Sequence, residues 1–167
     1  MKNRDDAIVR RIFKYCKEVD EALETFGDHI DVFKNTTVFR NAACMPIMQI
    51  GELCKLVSDD LRAKNSEIDW RGWCGIRDII AHQYTNLDYD KTWDVIKWDL
   101  PKLKSQIEGL ISDIDSNGIS RIEIILKEKG EIDIEAKELY HEIVDNTGVS
   151  INAFTDSKIL EYIKQKR

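Results

Sequence analysis

The chain has 167 residues, of which 43% are hydrophobic and 34% charged, with only 2 Pro and 8 Gly; this excludes a loop-rich or disordered protein and allows a substantial core. A formal net charge of −6 excludes nucleic-acid binding through the overall field, so any positive surface has to be local or built in an assembly. The charged N-terminus (Lys2, Arg4, Asp5, Asp6) and the want of a long apolar run argue against a signal peptide or a membrane span, so the expected location is cytoplasmic.

In chain order, Ile8, Ile12, Tyr15, Val19, Ala22 and Phe26 repeat at alternating spacings of four and three, which predicts a first amphipathic helix closed by Gly27 and Asp28. His29 to Asn35 reads as a connection or short turn. Thr36 or Thr37 caps a second long helix running to about Ala63, with Phe39, Ala43, Pro46, Ile50, Leu53, Val57 and Leu61 on one stripe. Pro46 removes one ladder bond and is expected to kink it. After a polar loop, Lys64 to Asp69, a third helix spans about Gly72 to His82, and Asn86 to Asp90 forms the turn beyond it. Trp93, Ile96 and Leu100 define the next face, and Pro101 starts or kinks a continuation carrying Leu103, Ile107, Leu110 and Ile114. Ser116-Asn117-Gly118 is the candidate boundary. Beyond it, 119–129, 134–144 and 157–166 read as shorter helices, with a strand conceivable over Ile122–Leu126. The four cysteines (Cys16, Cys44, Cys54, Cys74) lack metal-ligand spacing and read as buried hydrophobes; the four tryptophans read mainly as core; His141 reads as a surface residue.

The chemistry-bearing stretch is Arg77-Asp78-Ile79-Ile80-Ala81-His82-Gln83-Tyr84. A guanidinium that can hold a phosphate and an imidazole that can move protons form a minimal kit for phosphodiester cleavage. On a regular helix, at about 100° per residue, Arg77 and His82 lie roughly 140° apart, so they share a site only where the helix ends or bends, or where a second copy contributes. Asp78, one turn before His82, is placed to orient the imidazole. Arg62, Lys64, Arg71 and Arg77 are candidates for a local positive patch.

Residues 35 to about 112 resemble the HepT toxins of the HEPN (higher eukaryotes and prokaryotes nucleotide-binding) superfamily. The landmarks are Arg40-Asn41, Ile50-Gly51-Glu52, Ile68-Asp69-Trp70-Arg71, the stretch Gly75 to Tyr84, Trp93-Asp94-Val95-Ile96 and Asp99-Leu100-Pro101. The family's Arg-x4-His-x-Tyr signature maps onto Arg77, His82 and Tyr84. The resemblance implies an all-α, antiparallel up-and-down bundle over residues 1–115, followed by a mainly helical C-terminal extension over 116–167. It implies a homodimer in which the two motifs meet, and metal-independent endoribonuclease cleavage with no cofactor. In that reading His82 is the general acid or base, Arg77 stabilises charge on the phosphate, and Asp78 supports them. It also implies a toxin–antitoxin pairing, in which a minimal nucleotidyltransferase antitoxin, MntA-like, transfers AMP to Tyr84. The alternatives are a non-catalytic dimer that docks the nucleotidyltransferase, or a purely structural helical adaptor.

Overall fold

The computed structural model describes residues 3–83, 87–130, 134–148 and 151–165, with the backbone only at residues 3, 82 and 83. Every regular element among the described residues is helical, so the fold is the all-α bundle expected from the sequence. The stretch Ile122–Leu126, for which a strand was conceivable, is helix. Two compact units are present: residues 8–108, and the described residues of 1–7 together with those of 109–167.

The larger unit contains most of α1 (Asn3–Phe26), then α2 (Ile30–Asn35), α3 (Thr37–Leu56), α4 (Asp59–Lys64), α5 (Trp70–Gln83), α6 (Tyr89–Asp94), a π-helix at Val95–Asp99 and the start of α7 (Leu100–Lys129). Ile12, Cys16 and Val19 of α1, Phe39, Ala43, Ile47, Ile50 and Cys54 of α3, and Ile96, Leu100, Leu103 and Ile107 are all buried. Phe33 sits among aromatic rings, edge-on to Phe39 at 5.4 Å and tilted against Trp93 at 5.4 Å. That is why His29–Asn35, expected as a connection, is a short helix instead: Phe33 needs a fixed direction into the core. Arg40 closes this helix, with Nη1 donating to the carbonyls of Phe33 (3.2 Å) and Lys34 (2.5 Å).

The second predicted helix is two. Val57 turns extended (ψ 135°), and Ser58 caps α4 by accepting from the Leu61 amide at 3.3 Å. Arg62 then donates to the Cys54 carbonyl at 2.7 Å and the Lys55 carbonyl at 3.2 Å, satisfying the open C-terminal end of α3. The helix continues through Pro46. Pro101 acts differently from a simple kink. Just before it the chain takes a π-turn, in which the Leu100 amide donates to the Val95 carbonyl, five residues back, and Pro101 falls in the first turn of α7. Asp88 caps α6 by accepting from the Lys91 amide at 3.1 Å, so part of the expected turn is a helix start. Trp70 and Trp73 are buried as expected, whereas Trp98, on the π-helix, is 73% exposed and is not a core residue.

In the smaller unit, the expected break at Ser116-Asn117-Gly118 is absent, since α7 runs through it. Gly118 is there for packing: a Cβ at this position would stand 2.3 Å from Tyr140 Cε2 and 3.1 Å from Ile151 Cγ2. Around it gather Ile122, Ile125 and Leu126 of α7, Leu139, Tyr140 and Ile143 of α8 (Ala136–Thr147), Ile151 of a short 3-10 turn, and Ile159 and Ile163 of α9 (Asp156–Gln165). The Tyr140 hydroxyl donates to Asp115 at 2.6 Å, and Arg121 donates to the carbonyls of Ile151 and Phe154 at 3.1 and 3.0 Å and pairs with Asp156. His141 lies exposed on α8, as expected.

Candidate active site

The site is built where α3 and α5 run closest. A Cβ on Gly51 would lie 2.3 Å from Arg77 Cβ and 2.7 Å from the Trp73 carbonyl oxygen, so the two backbones approach to a distance only glycine permits. Burial of Ile47, Ile50 and Cys54 on one helix and Trp73 and Ile80 on the other holds that approach. The start of α5 is fixed by Asp69, whose carboxylate accepts from the Gly72 amide at 2.8 Å, and by Trp70 Nε1, which donates to the Asn65 carbonyl at 3.0 Å.

Four charged side chains meet above Gly51. Arg77 pairs through Nε with Glu52 Oε1, and its Nη1 donates to Asp78 Oδ1 at 3.0 Å. Lys55 Nζ donates to the same two oxygens, Asp78 Oδ1 at 2.9 Å and Glu52 Oε1 at 3.3 Å. Hydrogen bonds from Lys55 first and Arg77 second hold the Asp78 carboxyl below its ordinary range, and its bond to Asp78 is the main cause that raises the Lys55 ammonium above its own. The Asp78 carboxylate therefore stays ionised at neutral pH. The Arg77 side chain is 27% exposed, which leaves one edge of a rigidly held guanidinium at the surface.

Of the residues singled out from sequence, Arg77 and Asp78 are brought together in this cluster. The Asp78 carboxylate is engaged by Lys55 and Arg77. His82 lies in the last turn of α5, and its side chain is outside the described residues, as is all of Tyr84. Because α5 stays helical to Gln83, the backbone keeps Arg77 and His82 about 140° apart around its axis. The proposed positive patch is mostly committed elsewhere: Arg62 closes α3, Lys64 pairs with Asp60 at 3.1 Å, and Arg77 is in the cluster. Glu52 and Lys55 were missed as site residues. Glu52 was legible only as part of a landmark, and Lys55 carried no sequence signal, being one lysine among many on a solvated helix face. Cys16, Cys44 and Cys54 are buried, which raises their thiols, to about 12 for Cys16 and about 11 for Cys44, so they are inert packing groups as expected.

One face of α3 carries exposed apolar side chains. Val38, Met45 and Leu56 are 64%, 51% and 48% exposed, and their spacing puts them on a single line along α3. Asn41, Met45, Met48, Ile80 and Ala81 line a shallow depression on this face.

Residues 12–110 match the family model described as "Ribonuclease HepT-like". Among relatives, "Putative RNase MJ1380" of Methanocaldococcus jannaschii is 33% identical over 99 residues, covering 58% of this chain and 90% of that protein. "Gamma-glutamylcyclotransferase and putative RNase MJ0434" of the same organism is 30% identical over 108 residues, 62% of this chain and 49% of that one. "Putative RNase TTE0752" of Caldanaerobacter subterraneus subsp. tengcongensis is 25% identical over 103 residues, 62% and 90% respectively. No solved structure matches significantly. The matched span takes in α3, α5 and the charge cluster between them, and it ends inside α7, before the packed core of the smaller unit. The chain belongs to the HepT-like ribonuclease family of the HEPN superfamily.

Proposed function

We propose that the chain is an endoribonuclease that cleaves RNA without a metal, acting as a homodimer. The observation that carries this reading is the rigid presentation of Arg77 at the surface of α5, five residues before His82, in a chain of a ribonuclease family. In the proposed reaction His82 takes the proton of a ribose 2′-hydroxyl, or gives one to the leaving 5′-oxygen. The 2′-oxygen then bonds to phosphorus as the 5′-oxygen departs, while Arg77 meets the charge that builds on the phosphoryl oxygens. The 140° between the two residues favours a site shared by two copies. The exposed line of Val38, Met45 and Leu56 on α3 supplies an apolar surface that a second copy would cover.

Under the same reading the protein is the toxin of a type VII-like toxin–antitoxin pair in the cytoplasm. A nucleotidyltransferase antitoxin joins the Tyr84 phenol oxygen to the α-phosphorus of ATP, releasing pyrophosphate. The added phosphodiester brings negative charge and bulk two positions along the chain from His82, which opposes RNA binding. A net charge of −6 and the two carboxylates against Arg77 favour a second reading, a non-catalytic dimer that docks the nucleotidyltransferase.

One experiment separates them. Purified protein with chelator is given RNA, beside His82→Ala and Arg77→Ala prepared identically. Cleavage by the wild type and its loss, by about a hundredfold or more, in both variants supports the nuclease. Equal cleavage by all three rejects the assigned chemistry. No cleavage, with a stable complex with the nucleotidyltransferase, favours the second reading. Intact mass after incubation with ATP and that enzyme should rise by whole AMP units in the wild type and not in Tyr84→Phe.

A further inference from the structure

In the cluster above Gly51, two cations converge on single oxygens. Asp78 Oδ1 accepts from Lys55 Nζ at 2.9 Å and from Arg77 Nη1 at 3.0 Å, and Glu52 Oε1 lies against the same lysine and the Arg77 Nε. The two carboxylates are held differently. Glu52 engages Nε, the inner nitrogen of the guanidinium, and so fixes the arginine from the stem side. Asp78 takes Nη1, at the tip, and its side chain is 53% exposed, so it faces solvent. An anionic oxygen bonded by an ammonium and a guanidinium tip is also how proteins hold a phosphate oxygen.

We infer that Lys55 and Arg77 form a seat for a backbone phosphate of RNA, and that Asp78 occupies it as a built-in competitor which the incoming phosphate displaces. Glu52 keeps both cations in place when Asp78 leaves. Lys55, which lies outside the Arg-x4-His-x-Tyr signature, is then a second phosphate-binding residue, and Asp78 is a brake on binding. This assignment rests on the ribonuclease reading for the identity of the anion, whereas the geometry of the seat does not.

The test separates binding from cleavage by using a 2′-O-methyl oligoribonucleotide, which lacks the attacking hydroxyl. Its dissociation constant is measured by fluorescence anisotropy over a range of salt concentrations, for wild type, Asp78→Asn, Lys55→Ala and Lys55→Arg. Asp78→Asn should bind about two- to fivefold more tightly, the range expected when an exposed competing ion pair is removed. Lys55→Ala should bind more weakly and lower the slope of log K against log salt by about 0.7, one phosphate contact on a single strand; Lys55→Arg should restore both. No binding by the wild type, unchanged or weaker binding by Asp78→Asn, or an unchanged slope in Lys55→Ala would overturn the seat. Should these shifts appear while unmodified RNA stays intact, the seat stands and the nuclease reading falls. Cleavage with no such shifts sinks the seat alone.

Discussion

Gly51 and Arg77 show how much of the site rests on one missing side chain. The glycine brings α3 within reach of α5, and only then can Glu52 and Lys55, one turn apart on α3, bracket the guanidinium. Replacing Gly51 by Ala gains about 1 kcal/mol of helix propensity, but the new methyl meets Arg77 Cβ at 2.3 Å and the Trp73 carbonyl at 2.7 Å. Backbone cannot yield as a flexible side-chain tip does, and overpacking of this kind costs about 1–3 kcal/mol, so the net effect is destabilising. Gly109, with nothing within 4 Å of a Cβ, is the matching control; there alanine should stabilise by about 0.5–1 kcal/mol. Denaturant melts of the two variants should move in opposite directions, and a stable Gly51→Ala would show that α3 and α5 are not held at this distance. Sequence made Arg77 and Asp78 legible, because their types and spacing carry chemistry by themselves. It could not reveal the shared oxygens of Glu52 and Asp78, since the two carboxylates are 26 positions apart and meet only through the packing of two helices.

At the scale of elements, apolar periodicity located the helices and misjudged where some of them stop. Val57 and Leu61 continue the α3 stripe at a spacing of four, so a pattern-reader sees one helix to Ala63, yet Val57 is extended and α4 starts afresh at Asp59. Both residues are buried on either side of the break, which is why burial alone cannot mark it. What marks it is Ser58, an N-cap residue hidden within an otherwise apolar phase. Ser58→Ala leaves the Leu61 amide without its side-chain acceptor and should cost about 1 kcal/mol. The measurement is a thermal or denaturant midpoint, and a loss of less than about 0.3 kcal/mol would mean the cap contributes little beside Arg62, which closes α3 from the same turn. The π-turn before Pro101 was half legible in the same way. Proline announced a perturbed helix, but a single extra residue in one turn preserves the apolar face from Ile96 to Leu103, and so leaves no trace in the period.

At the scale of the whole chain, the family match and the two compact units divide the molecule differently from the sequence's own punctuation. Ser116-Asn117-Gly118 has the composition of a loop, but composition reports what a segment can do in isolation, and here tertiary packing decides. The Tyr140 ring lies where a Cβ of residue 118 would be, and the nearby Asp115 carboxylate accepts from its hydroxyl at 2.6 Å, so the glycine serves the α7–α8 contact within the smaller unit. A breaker at that position would tolerate alanine, or even gain from it. The structure requires the reverse: Gly118→Ala forces Tyr140, fully buried, off its seat, and the expected cost of about 1–3 kcal/mol exceeds the roughly 1 kcal/mol gained in helix propensity. Hydrogen exchange followed by mass spectrometry tells where that cost falls. Protection should drop over α8 and α9 and the half of α7 that packs on them, while α3 and α5, with the charge cluster, keep theirs. Equal loss of protection in α3 and α5 would mean that the two units unfold as one body, and that the segment beyond the family match is part of what holds the site together.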